Sequence, residues 1–390
     1  MKAIIIGGGI GGMAAAAAFT MRGAEVVLLE RAPAFAEIGA GIALLPNALR
    51  ALDMLGLGEP LREHALSTAQ AGVRDAAGRW LSRVNTADLE RRYGQWVMIH
   101  RADLLDVLRA KVPPAALRPG TEVRDVRPDG TVVHAGGTLT GDLVVGADGL
   151  RSVTRRSLWP DAPAPRYAGY TTWRWIVPPM DVGEGLETWG RGQRFGYATL
   201  PDGRVYCYAM YAAPPGTTCG LADLRRRYAG WHHPIPALLD GAQEGTLLQH
   251  DTYELPDLAT FVSGRTALLG DAAHAMTPNV GQGACQALED AVVLAAEVAE
   301  RGTAAGLRAY DLARRPRTQM VVRRSRRIGL VAQWTAPPLV ALRDTVMRMM
   351  PYATFVRSFR PLVDWPPASG AERPAVGTGA PPPAGSLRDH

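Results

Sequence analysis

Three glycines near the amino terminus have the spacing of a phosphate-binding turn. Gly7, Gly9 and Gly12 fit the pattern G-x-G-x-x-G, and Glu30 follows 18 residues after Gly12. The first glycine permits a tight bend, the second lets backbone N–H groups approach a pyrophosphate, and the third lets helix and strand pack closely. The amino terminus of a helix favours anionic phosphates, and a carboxylate at this distance accepts ribose hydroxyls. The pattern therefore indicates dinucleotide binding.

The residues around the glycines predict the elements that position them. Ala3–Ile6 is an apolar run bounded by glycine and is predicted to be a strand. Met13–Met21 is rich in helix-forming residues and ends at Gly23, and Val26–Leu29 is a second buried strand. The order strand, glycine turn, helix, strand is the unit in which this motif binds its ligand.

Two further carboxylates follow predicted buried strands. Asp148 follows Leu143–Val145, and Asp271 follows Ala267–Leu269. A carboxylate at the carboxyl end of such a strand is placed to accept hydrogen bonds from the hydroxyl groups of a ligand. Capping of the helix that follows is the alternative role for both residues.

From Tyr167 to about Leu248 the sequence changes to short aromatic runs separated by proline and glycine, which predicts antiparallel sheet. Trp173 and Trp175 share one face of a strand because side chains alternate, and so do Tyr206 and Tyr208. We expect at least one of these pairs to line a pocket.

Three motifs together carry a family resemblance: the glycine pattern, "GADGLRS" and "LLGDAAHAMTPNVGQG". In this order they resemble the single-component FAD-dependent aromatic hydroxylases, the para-hydroxybenzoate hydroxylase family. "RYAGYTTW" and "RRYAGW" are similar to compact members of the salicylate and FAD-dependent urate hydroxylase type. The resemblance covers residues 1–330.

The resemblance implies roles for residues of this chain. The FAD-binding residues it implies are Gly7, Gly9, Gly12, Glu30, Arg31, Arg101, Asp148, Asp271, Gly281 and Gly283. Pro278, Gln282 and Gly283 are implied to form the catalytic loop beside the flavin ring, where backbone N–H groups stabilise developing negative charge. The substrate residues we predict are Trp173, Trp175, Arg204, Tyr206 and Tyr208. No metal site is expected.

The implied reaction is that of a monooxygenase. NAD(P)H reduces FAD, O2 adds at flavin C4a, and the resulting hydroperoxide hydroxylates or epoxidises an aromatic or otherwise electron-rich small molecule. The protein positions the substrate and excludes water, while the flavin supplies the reactivity.

The implied fold is an α/β FAD-binding domain, Rossmann-like and of the glutathione reductase type, with an inserted antiparallel β-sheet substrate domain. The FAD-binding domain is predicted to comprise residues 1–70, 98–165 and 265–330, and the substrate-binding sheet domain residues 71–97 and 166–264. A carboxyl-terminal helical segment, 331–366, precedes a tail, 367–390, whose Pro, Gly and Ala content predicts disorder.

Other functions remain open on the sequence alone. A flavin oxidoreductase of the same fold that inserts no oxygen, or a non-catalytic FAD-binding scaffold, carries the same motifs. Trp173-Arg-Trp175-Ile-Val-Pro178 also fits the W-x-W-x-x-P pattern of flavin-dependent halogenases. Halogenases need a lysine at a position where neither Lys2 nor Lys111 of this chain falls.

Composition limits the partners and the compartment. The net charge of +6 comes mainly from scattered arginines, which argues against a nucleic-acid surface. The 3 cysteines lack metal-site spacing and fit a reducing, cytoplasmic location. No segment is apolar enough to span a bilayer. We expect a small aromatic or apolar substrate and a monomer or homodimer.

Overall fold

Strands and helices alternate at both ends of the chain, and a long run of strands lies between them. The computed structural model describes residues 1–35, 41–63, 70–183 and 185–365. The strands are β1 (Lys2–Ile6), β2 (Glu25–Leu29), β3 (Gly41–Leu44), β4 (Gln70–Asp75), β5 (Trp80–Asn85), β6 (Val97–His100), β7 (Leu117–Arg118), β8 (Val123–Val126), β9 (Thr131–His134), β10 (Gly137–Thr140), β11 (Leu143–Gly146), β12 (Arg166–Val177), β13 (Leu186–Trp189), β14 (Gln193–Thr199), β15 (Val205–Ala212), β16 (Leu248–Glu254), β17 (Val262–Ser263) and β18 (Thr266–Leu268).

The helices occur in the first part of the chain, after β15 and at the carboxyl end. They are α1 (Ile10–Thr20), α2 (Pro46–Asp53), α3 (Gly58–Glu63), α4 (Thr86–Tyr93), α5 (Arg101–Arg109), α6 (Val153–Leu158), α7 (Leu221–Tyr228), α8 (Ile235–Asp240), α9 (Asp271–His274), α10 (Gly283–Arg301), α11 (Thr303–Ala332), α12 (Pro337–Met349) and α13 (Tyr352–Val363). Within the described ranges, no helix has the length and hydropathy needed to cross a lipid bilayer.

A six-stranded sheet in the order β17-β18-β11-β1-β2-β7 forms the centre of the nucleotide-binding part. Strands β18 to β7 are parallel, and β17 joins the edge in antiparallel orientation. Helix α1 packs between this sheet and α10, and its alanines, Ala14 to Ala18, are fully buried. Small side chains allow this close approach, which holds the turn between β1 and α1 at the carboxyl edge of the sheet.

A seven-stranded sheet in the order β16-β12-β15-β14-β13-β4-β5 forms the second layer. Its strands fall within the two ranges that we predict for substrate binding, except that β4 begins at Gln70. The sheet is mixed rather than wholly antiparallel, because β13 pairs with β4 in parallel, with Glu187 opposite Val73. The other pairings of this sheet are antiparallel, so the predicted antiparallel sheet departs from its pattern only at this junction among the described residues.

The two faces of this second sheet have different neighbours. One face packs against α7 and α8 in an apolar cluster that contains Trp173, Trp175, Phe195 and Tyr228. The opposite face, which carries Tyr206 and Tyr208, turns toward the nucleotide-binding part, where Tyr206 lies against Gly41 of β3. The wall of any site shared by the two parts is therefore the face that carries the tyrosines.

The carboxyl-terminal segment is more than one helix. Helix α11 continues to Ala332, and α12 and α13 follow it. Helix α12 is attached through Arg343, which is buried, donates to the carbonyl of Ala332 (3.1 Å) and lies over the Trp189 ring. The tail that we predict to be disordered, 367–390, lies outside the described residues.

Candidate active site

The glycine turn after β1, which contains Gly7, Gly9 and Gly12, has the geometry of a phosphate-binding turn, and we call it the glycine cradle. Gly7 has φ +105°, in the region that favours glycine, and a Cβ on Gly12 would overlap the carbonyl oxygen of Gly7. Helix α1 begins immediately after Gly9, with no side-chain cap and no acidic residue in its first turn. Its first N–H groups are therefore left for an anionic ligand.

Glu30 lies beside this turn. Its carboxylate accepts hydrogen bonds from the backbone N–H of Gly8 (2.6 Å) and of Ala32 (2.8 Å). These bonds fix the carboxylate at the end of β2, next to the cradle, and Arg31 follows it as an exposed residue. Binding of the adenosine ribose by Glu30 and a cofactor contact by Arg31 stay predictions.

Asp148 organises the start of α6. Its carboxylate accepts from Ser152 Oγ (2.6 Å) and from both the backbone N–H (2.9 Å) and Oγ1 (3.0 Å) of Thr154. This arrangement gives direct support to the helix-capping role that the sequence left as an alternative. A contact between Asp148 and FAD stays a prediction.

Arg101 and Asp271 lie close enough for their charges to interact, although they are 170 positions apart in the sequence. Arg101 begins α5 and Asp271 begins α9, and both are accessible to solvent. Burial lowers the pKa of Arg101, and the nearby carboxylate of Asp271 offsets this only in part. Arg174 and Tyr206 also lie close enough to Arg101 to affect its charge. We use "the cleft" for the region between Arg101, Asp271, Arg174 and Tyr206.

The loop before α10 forms one side of the cleft. Pro278–Val280 is a 3-10 turn, and Gly281 follows it with φ +64° in the left-handed region. Helix α10 starts at Gly283 with no side-chain cap and no acidic residue in its first turn. A Cβ on Gly283 would meet no atom within 4 Å. The uncapped end of a 19-residue helix therefore faces open space.

Strand β3 connects this loop to the wall of the second sheet. The Sγ of Cys285 lies 3.8 Å from the carbonyl oxygen of Ala43, and Leu45 borders Gly281. At its other end, β3 places Gly41 against the ring of Tyr206. Strand β3 therefore connects the helix start to the wall that carries the tyrosines.

The side chain of Gln282 points into the interior and is engaged there. The residue is fully buried, and its amide exchanges hydrogen bonds with Asn47 (2.9 and 3.2 Å) and accepts from Gln286 (2.7 Å). A side chain so engaged cannot reach a ligand, which leaves the backbone N–H for the role that the resemblance implies. The backbone of Gln282 and Gly283, with the turn at Pro278, remains the predicted catalytic loop.

A buried polar network on the interior side of this loop holds the loop in position. Glu289 on α10 accepts from Asn47 (2.6 Å), Arg317 (2.7 and 2.8 Å) and Arg314. The neighbouring Asp290 contacts Arg314 Nε (2.7 Å) and His274 Nε2 (2.5 Å). His274 therefore serves as a structural partner of Asp290 in the interior.

The charges of this network hold Asp290 ionised. Burial alone raises the pKa of Asp290, but His274 and Arg314 together lower it to about 2. Since Asp290 also accepts from the backbone N–H of Gly270 (3.0 Å), the network positions the turn that carries Asp271.

Trp173 and Trp175 lie away from the cleft. They are 0% and 1% exposed, and Trp173 stacks on Tyr211 at 4.4 Å between ring centroids. Their indole N–H groups donate to Gln249 (3.0 Å) and to the carbonyl of Leu238 in α8 (3.4 Å). The prediction that they contact substrate is wrong, because they fill the apolar face under α7 and α8.

Tyr206 and Tyr208 lie on the face toward the cleft, as one of the two aromatic pairs was expected to. Burial raises the pKa of both hydroxyls. Arg204 precedes them at the edge, where it donates to Asp202 (2.7 Å) and contacts His100 (2.9 Å). Contact of these three side chains with substrate stays a prediction.

The sequence analysis missed three residues on this wall: Arg174, His250 and Asn279. Arg174 stands between the two tryptophans, so strand alternation alone places it on the opposite face from them. Asn279 accepts from Tyr170 (3.3 Å) and Arg194, and donates to the carbonyl of Ser325 (2.9 Å), so it joins the loop to the sheet. No local pattern distinguishes Asn279 from an ordinary loop residue.

The chain is similar in sequence and in structure to known proteins. Aurachin C monooxygenase/isomerase of Stigmatella aurantiaca is 38% identical over 365 residues, covering 90% of this chain and 94% of that protein. The 2-heptyl-3-hydroxy-4(1H)-quinolone synthase of Pseudomonas aeruginosa is 34% identical over 375 residues, covering 91% and 95%. Klebsiella pneumoniae HpxO, solved in complex with FAD and uric acid, has a TM-score of 0.85 at 29% identity, covering 93% and 96%.

The family assignment rests on most of the chain. A family model described as an FAD binding domain matches residues 1–180 and 255–325. These ranges contain the glycine cradle, Arg101, Asp148, Asp271 and the loop before α10. The chain belongs to this FAD-binding family, together with the monooxygenases to which it is similar.

Proposed function

We propose that the protein is an FAD-dependent monooxygenase that uses NAD(P)H and O2 to hydroxylate or epoxidise an aromatic or electron-rich small molecule. The observation that carries this proposal is the cleft. Arg101 and Asp271 lie near Tyr206, and β3 extends from the ring of Tyr206 to the loop before the uncapped start of α10. Such an arrangement suits a flavin ring with an aromatic ligand above it.

The described residues fit FAD. The glycine cradle suits the pyrophosphate, because a Cβ on Gly12 would close it and the first N–H groups of α1 have no capping side chain. Glu30 would hold the ribose, and Arg101 with Asp271 would hold the pyrophosphate and ribityl chain. Bound FAD would supply electron transfer from NAD(P)H and the activation of O2.

The chain itself contributes position and electrostatics. The backbone N–H groups at the start of α10 have no capping side chain and would stabilise negative charge that develops beside them. The tyrosine wall would exclude water and hold an aromatic ring in place. The network behind Gln282 keeps the N–H groups of the loop aligned before any ligand binds.

Relatives suggest a first class of substrate. The quinolone synthase, by its name, forms 2-heptyl-3-hydroxy-4(1H)-quinolone, and HpxO binds uric acid in its solved complex. Both compounds are nitrogen heterocycles. We propose that quinolones and related nitrogen heteroaromatics are the compounds to test first, with phenols and indoles beside them.

The test is substrate-dependent oxidation of NADH and NADPH by the FAD-loaded protein. One compound class should stimulate oxidation strongly, and its product should carry one added oxygen atom. Oxidation of NADH or NADPH with a product of unchanged oxygen content would instead identify an oxidoreductase that inserts no oxygen. Stable FAD binding without reduction by either nucleotide would identify a scaffold, and either result would contradict the proposal.

A cytoplasmic location and a monomeric or homodimeric state remain part of this proposal. The free thiols of Cys207, Cys219 and Cys285 support a reducing compartment.

Gly283→Ala tests whether Gly283 is required because it leaves space for a ligand or because of its backbone conformation. Gly283 has no positive φ, and its Cβ would enter empty space, so the apoprotein should change in stability by no more than about 1 kcal/mol. The added methyl group would occupy the space that we assign to the flavin. FAD affinity or turnover should fall by about tenfold or more.

Gly245→Ala is the matched control, because Gly245 also has open space and lies in the 3-10 turn Glu244–Thr246, outside the residues that border the cleft. Thermal unfolding of the apoprotein and FAD titration measure the two effects separately. Equal, wild-type FAD affinity and turnover in both variants would show that Gly283 does not face the cofactor.

Asp271→Asn tests the hydroxyl-binding carboxylate. The change keeps the shape of the side chain but removes the charge that accepts hydroxyl hydrogen bonds and faces Arg101. FAD should bind about ten- to a hundredfold more weakly. The measurement is the FAD dissociation constant by fluorescence titration, with the exposed Asp161→Asn as control. A fully loaded and active Asp271→Asn protein contradicts the assignment.

A further inference from the structure

Net positive charge is concentrated in the carboxyl-terminal helices. Arginines occur along the whole chain, but residues 303–365 contain 12 arginines against 3 aspartates, a net charge of +9. Residues 1–302 contain 29 lysines and arginines against 32 aspartates and glutamates, a net charge of −3. Helices α11, α12 and α13 occupy the basic range. A charge asymmetry of this size indicates an acidic partner for the basic part.

The same helices expose most of the large apolar side chains that reach solvent. Among the described residues, ten large hydrophobic side chains are exposed, and eight of them lie in residues 303–365. These eight are Leu312, Leu330, Leu339, Leu342, Val346, Met349, Met350 and Tyr352. Single exposed apolar residues are ordinary, whereas a concentration of them in a basic segment marks an interaction surface.

Helix α12 arranges four of these side chains in one stripe. Their spacing is i, i+3, i+7 and i+10, so they share one face of the helix. The stripe consists of Leu339, Leu342, Val346 and Met349, whose exposed fractions are 42%, 55%, 51% and 76%. Another side of α12 holds the helix to the protein, because Arg343 is buried and Met347 packs against the apolar cluster around Trp189. The stripe is therefore exposed on a helix that is already packed.

Exposed arginines lie on the helices before and after this stripe. Arg327 is three residues before Leu330 near the end of α11, and Arg357 is in the middle of α13. Neither makes an ion pair with any residue in the described ranges. Other exposed arginines of the segment have carboxylate partners, as Arg348 has in Asp75 (2.9 Å). Arg327 and Arg357 are therefore positive charges that an acidic partner can compensate.

An anionic lipid surface matches this combination better than the other occupants. A second copy of the chain would bring two segments of net charge +9 together, which is unfavourable. The residues that follow, 366–390, carry two cations and two anions, and apart from proline and alanine their apolar side chains are Val376 and Leu387. That sequence complements neither the charge nor the stripe. A nucleic acid would contact the arginines but would leave the stripe in water.

We propose that α12 docks the protein onto the surface of an anionic lipid bilayer through its apolar stripe, with Arg327 and Arg357 contacting lipid phosphates. The apolar side chains enter the boundary between headgroups and acyl chains, and the guanidiniums form charge-assisted hydrogen bonds. The docking is peripheral, since no helix in the described ranges is long and apolar enough to span the bilayer. The inference goes beyond the proposed reaction, because none of these residues borders the cleft.

The test is co-sedimentation of the FAD-loaded, full-length protein with vesicles of phosphatidylcholine alone and of an equimolar mixture with phosphatidylglycerol. Wild type should bind the mixed vesicles at least about tenfold more tightly at low salt, and salt should reduce the preference. Leu342→Gln with Met349→Gln should weaken this binding by at least about tenfold, because two side chains no longer enter the boundary. Arg327→Gln with Arg357→Gln should weaken it by about fivefold for each arginine.

Met21→Gln and Arg124→Gln are the matched controls, because they change an exposed apolar and an exposed basic side chain outside residues 303–365. Both should bind like wild type, and thermal unfolding and flavin content should be the same in all variants. Equal binding of wild type to the two lipids, binding to neither, or undiminished binding of the α12 variant overturns the inference. A dimer that the α12 variant dissociates, or binding of single-stranded RNA, in either case without vesicle binding, also overturns it.

Discussion

Gly12→Ala is expected to abolish FAD binding and to lower the stability of the whole protein. A Cβ at this position would overlap the carbonyl oxygen of Gly7 and approach the Cβ of Ala147 at 3.3 Å. Gly7 is itself fixed, because its own Cβ position faces the backbone of Ala147 and Asp148. Strand β1 and helix α1 would have to separate where both are buried, at a cost of at least about 2 kcal/mol.

Flavin content after purification and thermal unfolding measure the two consequences. Gly245→Ala again serves as the control, because its methyl group meets no neighbouring atom. A Gly12→Ala protein with wild-type melting temperature and full flavin would show that the turn can relax, and the cradle assignment would then fail.

Arg314→Met is expected to cause the second large effect. Arg314 is buried and contacts both Glu289 and Asp290, as well as the side chain of Gln286 (2.8 Å). Removing it leaves two buried carboxylates without this partner, which destabilises proteins by about 3–5 kcal/mol. Because Gln286 donates to Gln282, the loop beside the flavin should also lose its alignment, and turnover should fall.

Thermal and denaturant unfolding of the holoenzyme check the stability effect. Arg308→Met, an exposed change on the same helix, is the control and should stay within about 0.5 kcal/mol of wild type. Equal stability of the two variants would mean that the network contributes nothing to the fold.

The pH dependence of the same network has a defined sign. The pKa of Asp290 is lowered from 3.8 to about 2 in the folded protein. Its contribution to stability is therefore fully present above about pH 4 and is lost as the pH falls toward 2. In Arg314→Met the pKa of Asp290 rises, so acid unfolding should begin at a higher pH than in wild type.

Local sequence patterns were enough to predict the part of the site that binds the cofactor. The glycine spacing, the apolar strands on either side and the position of Glu30 are all contained in the first thirty residues or so, and the structure places them together. Alternation along β12 also placed Trp173 and Trp175 on one face. It did not indicate which face meets the cleft, since this depends on where α7 and α8 pack.

The substrate side depended on contacts between distant segments. Gln282 contacts Asn47 across 235 residues, and this contact holds its side-chain amide in the interior, so that only the backbone of the predicted loop is left for catalysis. Arg174 was visible as the residue between two tryptophans, but its position beside Tyr208 and on the same face as His250 emerges only when β12, β15 and β16 are paired. Local periodicity contains no information about such pairings.

The parallel junction of β4 with β13 has a consequence for how the protein reaches its native state. Glu187 pairs with Val73, so the edge of the second sheet is complete only when β13 pairs with β4, which lies much earlier in the chain. Closing so long a loop is entropically unfavourable, and folds rich in such pairings form slowly. Until β4 and β5 dock, β13 presents an open edge that other chains can join. The edge formed by β13, β4 and β5 should therefore be among the last parts to become ordered during refolding, and dilute protein should refold in higher yield than concentrated protein.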